Sequence, residues 1–159
     1  ILGKESVMDS AQKSFISSTF WTERIGPTAA LKTVDVMERE KSWVQITEVG
    51  KRIGNRWKIL AKKLDLPIEV GGIPALVNFN IPVENWLKYK TLITQEMLKK
   101  GFLATNSVYV YTKHTKEIIE EYFEKLDRIF NTIAECEAGR NVDELLDSPV
   151  CHSGFMRLN

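Results

Sequence analysis

Cysteine is nearly missing from this chain, and net charge is missing too. Only Cys136 and Cys151 occur in 159 residues. Two thiols cannot build a disulfide framework, so a reducing cytoplasm is the expected setting. Lysine and arginine number 22 against 21 aspartates and glutamates, for a formal charge of +1. That balance gives no pull toward nucleic acid or an anionic membrane, and neither is expected as a partner. No apolar run approaches the length that crosses a bilayer, and the first residues carry no signal-like pattern. There is no Gly-x-Gly-x-x-Gly, no P-loop and no zinc-type spacing, since Cys151 and His152 are adjacent while His114 and Cys136 lie far off. The adjacent pair is also a poor nucleophile dyad, because neighbours on an extended tail point apart. What remains is an ordinary globular composition, 43% hydrophobic and 27% charged, long enough for one domain with a real core. The chain opens at Ile1 without methionine, so a piece or processed part of a longer product is expected.

What is present begins with Ser17-Ser18-Thr19-Phe20-Trp21-Thr22-Glu23-Arg24-Ile25-Gly26-Pro27-Thr28-Ala29-Ala30-Leu31. It reads as a hydroxyl-rich loop running into a helix. Pro27 suits the first helical position, where its missing N–H would have no partner. Gly26 lets the backbone turn, and Ala29, Ala30 and Leu31 propagate the helix at little entropic cost. Hydroxyls beside the free N–H groups of a helix start make an anion site, for phosphate above all. The plainer alternative is that Ser and Thr only cap a turn. If the loop lines a pocket, Arg24 can meet a carboxylate or phosphate as a fork and Trp21 can wall the site. Otherwise Glu23 and Arg24 pair with each other on the surface.

Periodicity organises the rest. A short helix over about Lys4 to Gln12 follows a strand end at Ile1-Leu2-Gly3, and a helix from Pro27 to about Lys41 puts Ala30, Val34 and Met37 on one stripe. Ser42 with Gln45 forms a capping-box pattern, after which Ile46, Val49, Ile53, Trp57, Leu60 and Leu64 recur at helical steps until Pro67 forbids more. Lys51, Arg52, Arg56, Lys58, Lys62 and Lys63 read as the solvated face of that helix, since no aromatic interleaves for base stacking. Ile68 to Val70 and Ala75 to Ile81 read as strands joined through Gly71-Gly72, with Val77, Phe79 and Ile81 to one side. Glu84 to Lys100 reads as a helix, with Trp86, Tyr89, Ile93 and Met97 inward and Gly101 as its stop. Phe102 to Tyr111 reads as a strand pair broken near Thr105-Asn106. Thr115 then caps a helix to about Ala138, with Ile119, Tyr122, Leu126, Ile129 and Ile133 inward. Its acidic outer face (Glu117, Glu120, Glu121, Glu124) can pair with the basic helix. His114 reads as a helper at that helix start, Cys136 as a small buried apolar group, Asp143 to Asp147 as a last turn, and Pro149 to Asn159 as a tail. This order predicts an α+β fold, a small antiparallel or mixed sheet with helices on one face.

Two stretches resemble a family. Ser17-Ser18-Thr19-Phe20 followed by Gly26-Pro27-Thr28-Ala29-Ala30-Leu31 is similar to the segment after the catalytic lysine in class III pyridoxal-phosphate aminotransferases, above all the glutamate-1-semialdehyde aminomutase-like branch. Gly101-Phe102-Leu103-Ala104 followed by His114-Thr115-Lys116-Glu117-Ile118 is similar to a Gly-x-x-Leu-Ala run and the start of the last long helix in the same proteins. The resemblance implies an α/β protein of fold type I. Residues 42–159 would form its C-terminal small domain, and residues 1–41 the segment that follows the catalytic lysine, with a cofactor-phosphate loop and a linking helix. It implies that Thr19, with Ser18 beside it, holds the phosphate of pyridoxal 5'-phosphate in the neighbouring subunit of a homodimer. Trp21, Glu23, Arg24 and Asn106 become the candidate contacts to a small amino or keto substrate. The loop is longer than the family's Thr-x-x-Gly-Asn-Pro, and no arginine stands between Val108 and Tyr111, where many transaminases carry one; Lys113 is the nearest cation. The catalytic lysine falls upstream of Gly3-Lys4-Glu5, and Lys4 matches a later surface lysine. The intact enzyme would move an amino group by way of pyridoxamine phosphate, and this stretch alone would be inactive. The alternative is a non-catalytic module that self-associates through apolar surface left by a missing domain.

Overall fold

The computed structural model describes residues 3–11, 13 and 23–154. The chain divides into two compact units, Ile1–Glu40 and Lys41–Asn159. In the first, α1 spans Glu5–Ala11 and α2 spans Ile25–Glu40. Helix α2 begins ahead of Pro27, the expected first position, because Glu23 supplies the cap: both its carboxylate oxygens accept the Gly26 N–H at 3.0 Å. A carboxylate there also meets the positive end of the helix dipole. Pro27 is still in the first turn, where an N–H lacks an intrahelical acceptor. The stripe of Ala30, Val34 and Met37 forms, yet no residue of α2 is buried. The expectations for Ile1-Leu2 and for 14–22 lie outside the described residues.

The second unit runs α3 (Ser42–Leu64), β1 (Glu69–Ile73), β2 (Leu76–Asn80), α4 (Trp86–Lys99), β3 (Ser107–Tyr109) and α5 (Lys116–Glu137), then a 3₁₀ turn at Val142–Leu145. The sheet is antiparallel in the order β1-β2-β3. Val49, Ile53, Trp57 and Leu60 of α3 are buried as their spacing predicts. The capping box does not form. Lys41 takes the left-handed conformation at φ 47° and Ser42 is already helical, so the serine hydroxyl is buried with no partner. Gln45 instead donates its side-chain amide to the Thr112 carbonyl at 2.9 Å.

The hairpin forms, but its turn is Pro74-Ala75 and the glycine pair lies inside β1, with Ile73 opposite Leu76. Close backbone approach is the reason for the glycines. A Cβ on Gly72, which sits at φ +80°, would lie 2.3 Å from the Leu76 carbonyl oxygen. Helix α3 comes as near: a Cβ on Gly50 would lie 1.8 Å from the Pro74 carbonyl oxygen, and one on Gly54 3.3 Å from methyls of Val70 and Val77. Val77, Phe79 and Ile81 all enter the core, as alternation predicts. Phe79 is edge-on to Trp57 at 4.8 Å and to Phe130 at 5.6 Å. The Trp57 indole N–H donates to the Tyr122 hydroxyl at 3.3 Å, so the buried indole keeps a partner.

The expected strand pair over Phe102 to Tyr111 is a single strand, β3, preceded by irregular backbone. Only one side of that segment has a neighbour to pair with, because β2 is already bonded to β1 on its other side. Thr115 caps α5, accepting from the Ile118 N–H at 3.4 Å. Helices α3 and α5 lie together, with ion pairs Arg56–Glu120 at 2.8 Å and Lys63–Asp127 at 2.9 Å. Such exposed pairs contribute about 0.2–1 kcal/mol each, so the buried stripe between the helices carries the contact.

Gly50→Ala should destabilise the protein by about 2–4 kcal/mol, since its methyl meets backbone that cannot rotate away. Gly101→Ala, where nothing lies within 4 Å but φ is +82°, should cost only about 1 kcal/mol. Urea unfolding of both variants checks the order.

Candidate functional site

The sequence-derived site residues separate between the two units. Ser18, Thr19 and Trp21 lie outside the described residues. Glu23 and Arg24 precede α2: the first caps it, and the second offers its carbonyl to the Thr28 N–H at 3.0 Å while its side chain is exposed. No ion pair joins the two among the described residues. Asn106 belongs to the second unit and holds β2 and the segment before β3 together. Its carbonyl accepts the Phe79 N–H at 2.9 Å, and its side-chain amide donates to the Phe79 carbonyl at 3.0 Å. One of the amide's donors is therefore committed to backbone, and its oxygen accepts the Thr105 hydroxyl at 3.4 Å, so only part of the amide's hydrogen-bonding capacity is left for a ligand.

Within the second unit, two stretches that are distant in sequence close on one cavity of about 270 Å³. Phe102, Leu103 and Ala104 form one wall, and His114, Ile118 and Tyr122 another. These are the stretches that carry the second family resemblance. The lining is apolar, and its polar groups are few: the Ser107 and Tyr109 hydroxyls, the Tyr122 phenol and His114. Tyr122 is buried, which pushes its phenol well above the usual range, so it stays neutral.

His114 is the one readily titrating group on the wall, and the local backbone fixes its state. Its Nδ1 accepts the Tyr111 N–H at 3.3 Å, its own N–H donates to the Tyr111 carbonyl at 3.1 Å, and its ring stands edge-on to Tyr111 at 4.2 Å. Nδ1 as acceptor carries no proton, so the neutral ring keeps its proton on Nε2. Burial holds the imidazolium below its ordinary range. An apolar chamber with a neutral imidazole donor can hold a ligand that has an apolar body and a hydrogen-bond acceptor. Its described lining residues include no carboxylate, thiol or lysine. The described residues also hold no cluster of histidine, cysteine and carboxylate able to bind a metal.

The sequence places His114 at a helix start and, with Leu103 and Ile118, in the second resembling stretch, but does not show that these residues, Tyr109 and Tyr122 line one cavity. A usable signal was present, since the two resembling stretches flank the one short strand β3.

Comparison with known proteins fits this picture. No protein-family model matches the chain. A 3-aminobutyryl-CoA aminotransferase of Cloacimonas acidaminovorans (strain Evry) is 28% identical over 123 residues, 74% of this chain and 30% of that protein. The internal aldimine form of the Sphingopyxis FumI protein, solved with pyridoxal phosphate, superposes with a TM-score of 0.73 at 17% identity, over 91% of this chain and 36% of that one. The chain thus spans about a third of the length of each. The similarity to an aminotransferase agrees with the resemblance read from the sequence. The small antiparallel sheet with helices is the expected fold class, and the solved neighbour shares the fold.

The His114 imidazole should titrate below 6.5, its ordinary value, in a proton NMR titration. Because the folded state disfavours the charged ring, its contribution to stability is complete above the unfolded value. That contribution is lost as pH falls toward the folded value, so thermal unfolding should ease through that window.

Proposed function

We propose that this chain is the C-terminal part of a pyridoxal-phosphate-dependent aminotransferase of class III, on the aminomutase-like branch. The observation that carries this reading is the similarity to an aminotransferase over about three quarters of the chain. Residues 1–41 are read as the cofactor-phosphate segment with its linking helix, and 42–159 as the small domain that closes over the substrate.

In this reading Thr19 and Ser18 bind the phosphate of the cofactor in the neighbouring subunit of a homodimer. The start of α2 limits how they do so. The Gly26 N–H is already taken by the Glu23 carboxylate, so phosphate is held by the hydroxyls and loop N–H groups ahead of it rather than by that helical amide. A carboxylate at that place repels a second anion, which keeps the phosphate on the hydroxyl side. Bound to a lysine outside this stretch, the cofactor supplies the electron sink that lets bonds at an amine-bearing carbon break. The chain's own residues are read as substrate contacts in each unit separately: in the first, Trp21 as a wall and Arg24 as a fork for an anionic group; in the second, Asn106 through what its amide has left beyond Phe79 and Thr105. The substrate is a small amine with its carbonyl partner. The relative named for 3-aminobutyryl-CoA favours an amine on a short acyl chain, and the apolar cavity beside His114 suits such a chain. Amino transfer between two molecules and transfer between adjacent carbons of one both remain within this reading. The setting is the cytoplasm, and the stretch alone does not transaminate.

The second reading, a self-associating module without catalysis, is favoured by exposed apolar groups: Leu31, Val34, Tyr109 and Leu103, the last 96% exposed. Sedimentation at several concentrations tests self-association, and a clean monomer counts against this module and against the homodimer of the first reading alike; the cofactor experiments below separate the two.

Incubating the 159-residue chain with pyridoxal phosphate, then borohydride, should trap no stoichiometric lysine adduct by peptide mapping. A stoichiometric adduct on Lys4 overturns the assignment. In an intact enzyme carrying this sequence, Thr19→Val should weaken cofactor binding roughly tenfold, the loss of one hydrogen bond to an anion. Unchanged affinity sinks the phosphate role.

A further inference from the structure

Strand β1 lies at the edge of the three-stranded sheet, and four of its five residues are exposed. Natural edges are commonly blunted by charges, proline or bulges. This one carries Glu69 at its first position and then Val70, Gly71, Gly72 and Ile73. The glycines leave bare backbone, and among the described residues none pairs with the outer N–H and C=O groups of this strand.

The basic face of α3 supplies the second half of the argument. That face is not uniform. Arg56 and Lys63 turn toward α5 and are paired with Glu120 and Asp127. Lys51 and Lys58 turn the other way, and with Asn55 they line a groove of about 310 Å³ against Val70, Gly71 and Gly72. Positions 51, 55 and 58 share one helical face. Neither Lys51 nor Lys58 has an ion-pair partner among the described residues. Helix α3 runs opposite to β1, with Gly50 against Pro74 and Gly54 against Val70. The lysines therefore stand at two points along the open edge, on the side of the sheet that α3 covers.

We propose that this groove takes an acidic peptide in extended conformation, which adds a strand to β1 and directs alternate carboxylates at Lys51 and Lys58. The added strand runs about 4.8 Å from β1, and its side chains alternate between faces, so every second residue meets the lysine side. The main chain supplies the ladder, and the two free cations supply the preference for acid. Glu69 disfavours a carboxylate at its own end of the edge. Cationic or uncharged strands gain the ladder but not the pairing.

The test is titration of the 159-residue chain with fluorescein-labelled acetyl-Ser-Glu-Val-Glu-Val-Glu-Ser-amide, read by anisotropy at low and high salt, with amide hydrogen exchange read in parallel. The expected result is saturable binding that weakens with salt, with new protection at Val70 to Ile73. The double variant Lys51→Glu, Lys58→Glu should lose roughly tenfold or more in affinity and should now accept the peptide with lysine in place of glutamate. Its far-ultraviolet dichroism guards against misfolding, since both side chains are on the surface of α3. The proposal is overturned by equal binding of the lysine peptide to the wild-type chain, by protection that maps away from β1, or by an unchanged affinity in the double variant. It is overturned as well if a short DNA duplex binds as tightly through the same lysines, which would mark a site for phosphates instead.

Discussion

The near-contact between the backbone of α3 at Gly50 and the hairpin turn at Pro74 sets the geometry of the second unit. A helix usually keeps its distance from a sheet by the width of its side chains. Here the width is removed at Gly50 and Gly54, and α3 sinks onto β1 and β2. That descent puts Trp57 edge-on to Phe79 and within reach of Tyr122, so one large ring joins helix, sheet and α5. Around it Phe130, Ile93, Met97 and Leu126 exclude water almost entirely. Burial of this kind is non-directional, and its orientation has to come from elsewhere. The glycine contact and the indole hydrogen bond provide it.

Long-range order was legible where a repeat spans many residues. The steps from Ile46 to Leu64 and from Ile119 to Ile133, and the alternation of Val77, Phe79 and Ile81, each average over enough positions to survive local exceptions. Features decided by one contact were not legible. Gly71-Gly72 carries the letters of a turn, but β2 demands bare backbone there, and Pro74-Ala75 turns instead. Ser42 and Gln45 carry the letters of a capping box, yet a left-handed Lys41 begins the helix one residue early and Thr112 takes the glutamine. The basic helix looked like a single solvated face; only the placement of α5 divides it into paired and unpaired halves.

The candidate site was legible in a different way. Its letters came by resemblance, and resemblance says which residues recur together without saying what holds them. The structure explains part of this. The run through Leu103 and the His114 start of α5 recur together because they form facing walls of one chamber. Asn106 is fastened to Phe79 on both backbone sides, so its place is a matter of sheet construction before any chemistry. Glu23, read as a pocket carboxylate or an ion-pair partner, is the hinge on which α2 starts.

The end of the described chain holds a practical asymmetry. Cys151 fastens the final segment to α4, its N–H on the Thr91 hydroxyl at 3.0 Å and its thiol on the Leu87 carbonyl at 3.6 Å, and it is only half-buried. Cys136 is buried within α5, and burial pushes its thiol up, away from the reactive thiolate. With no other cysteine among its 159 residues, this chain in its folded state offers a maleimide dye one address. A spin label or fluorophore can thus be seated at the outer side of α4 without mutation, where its freedom reports how tightly that last segment is held.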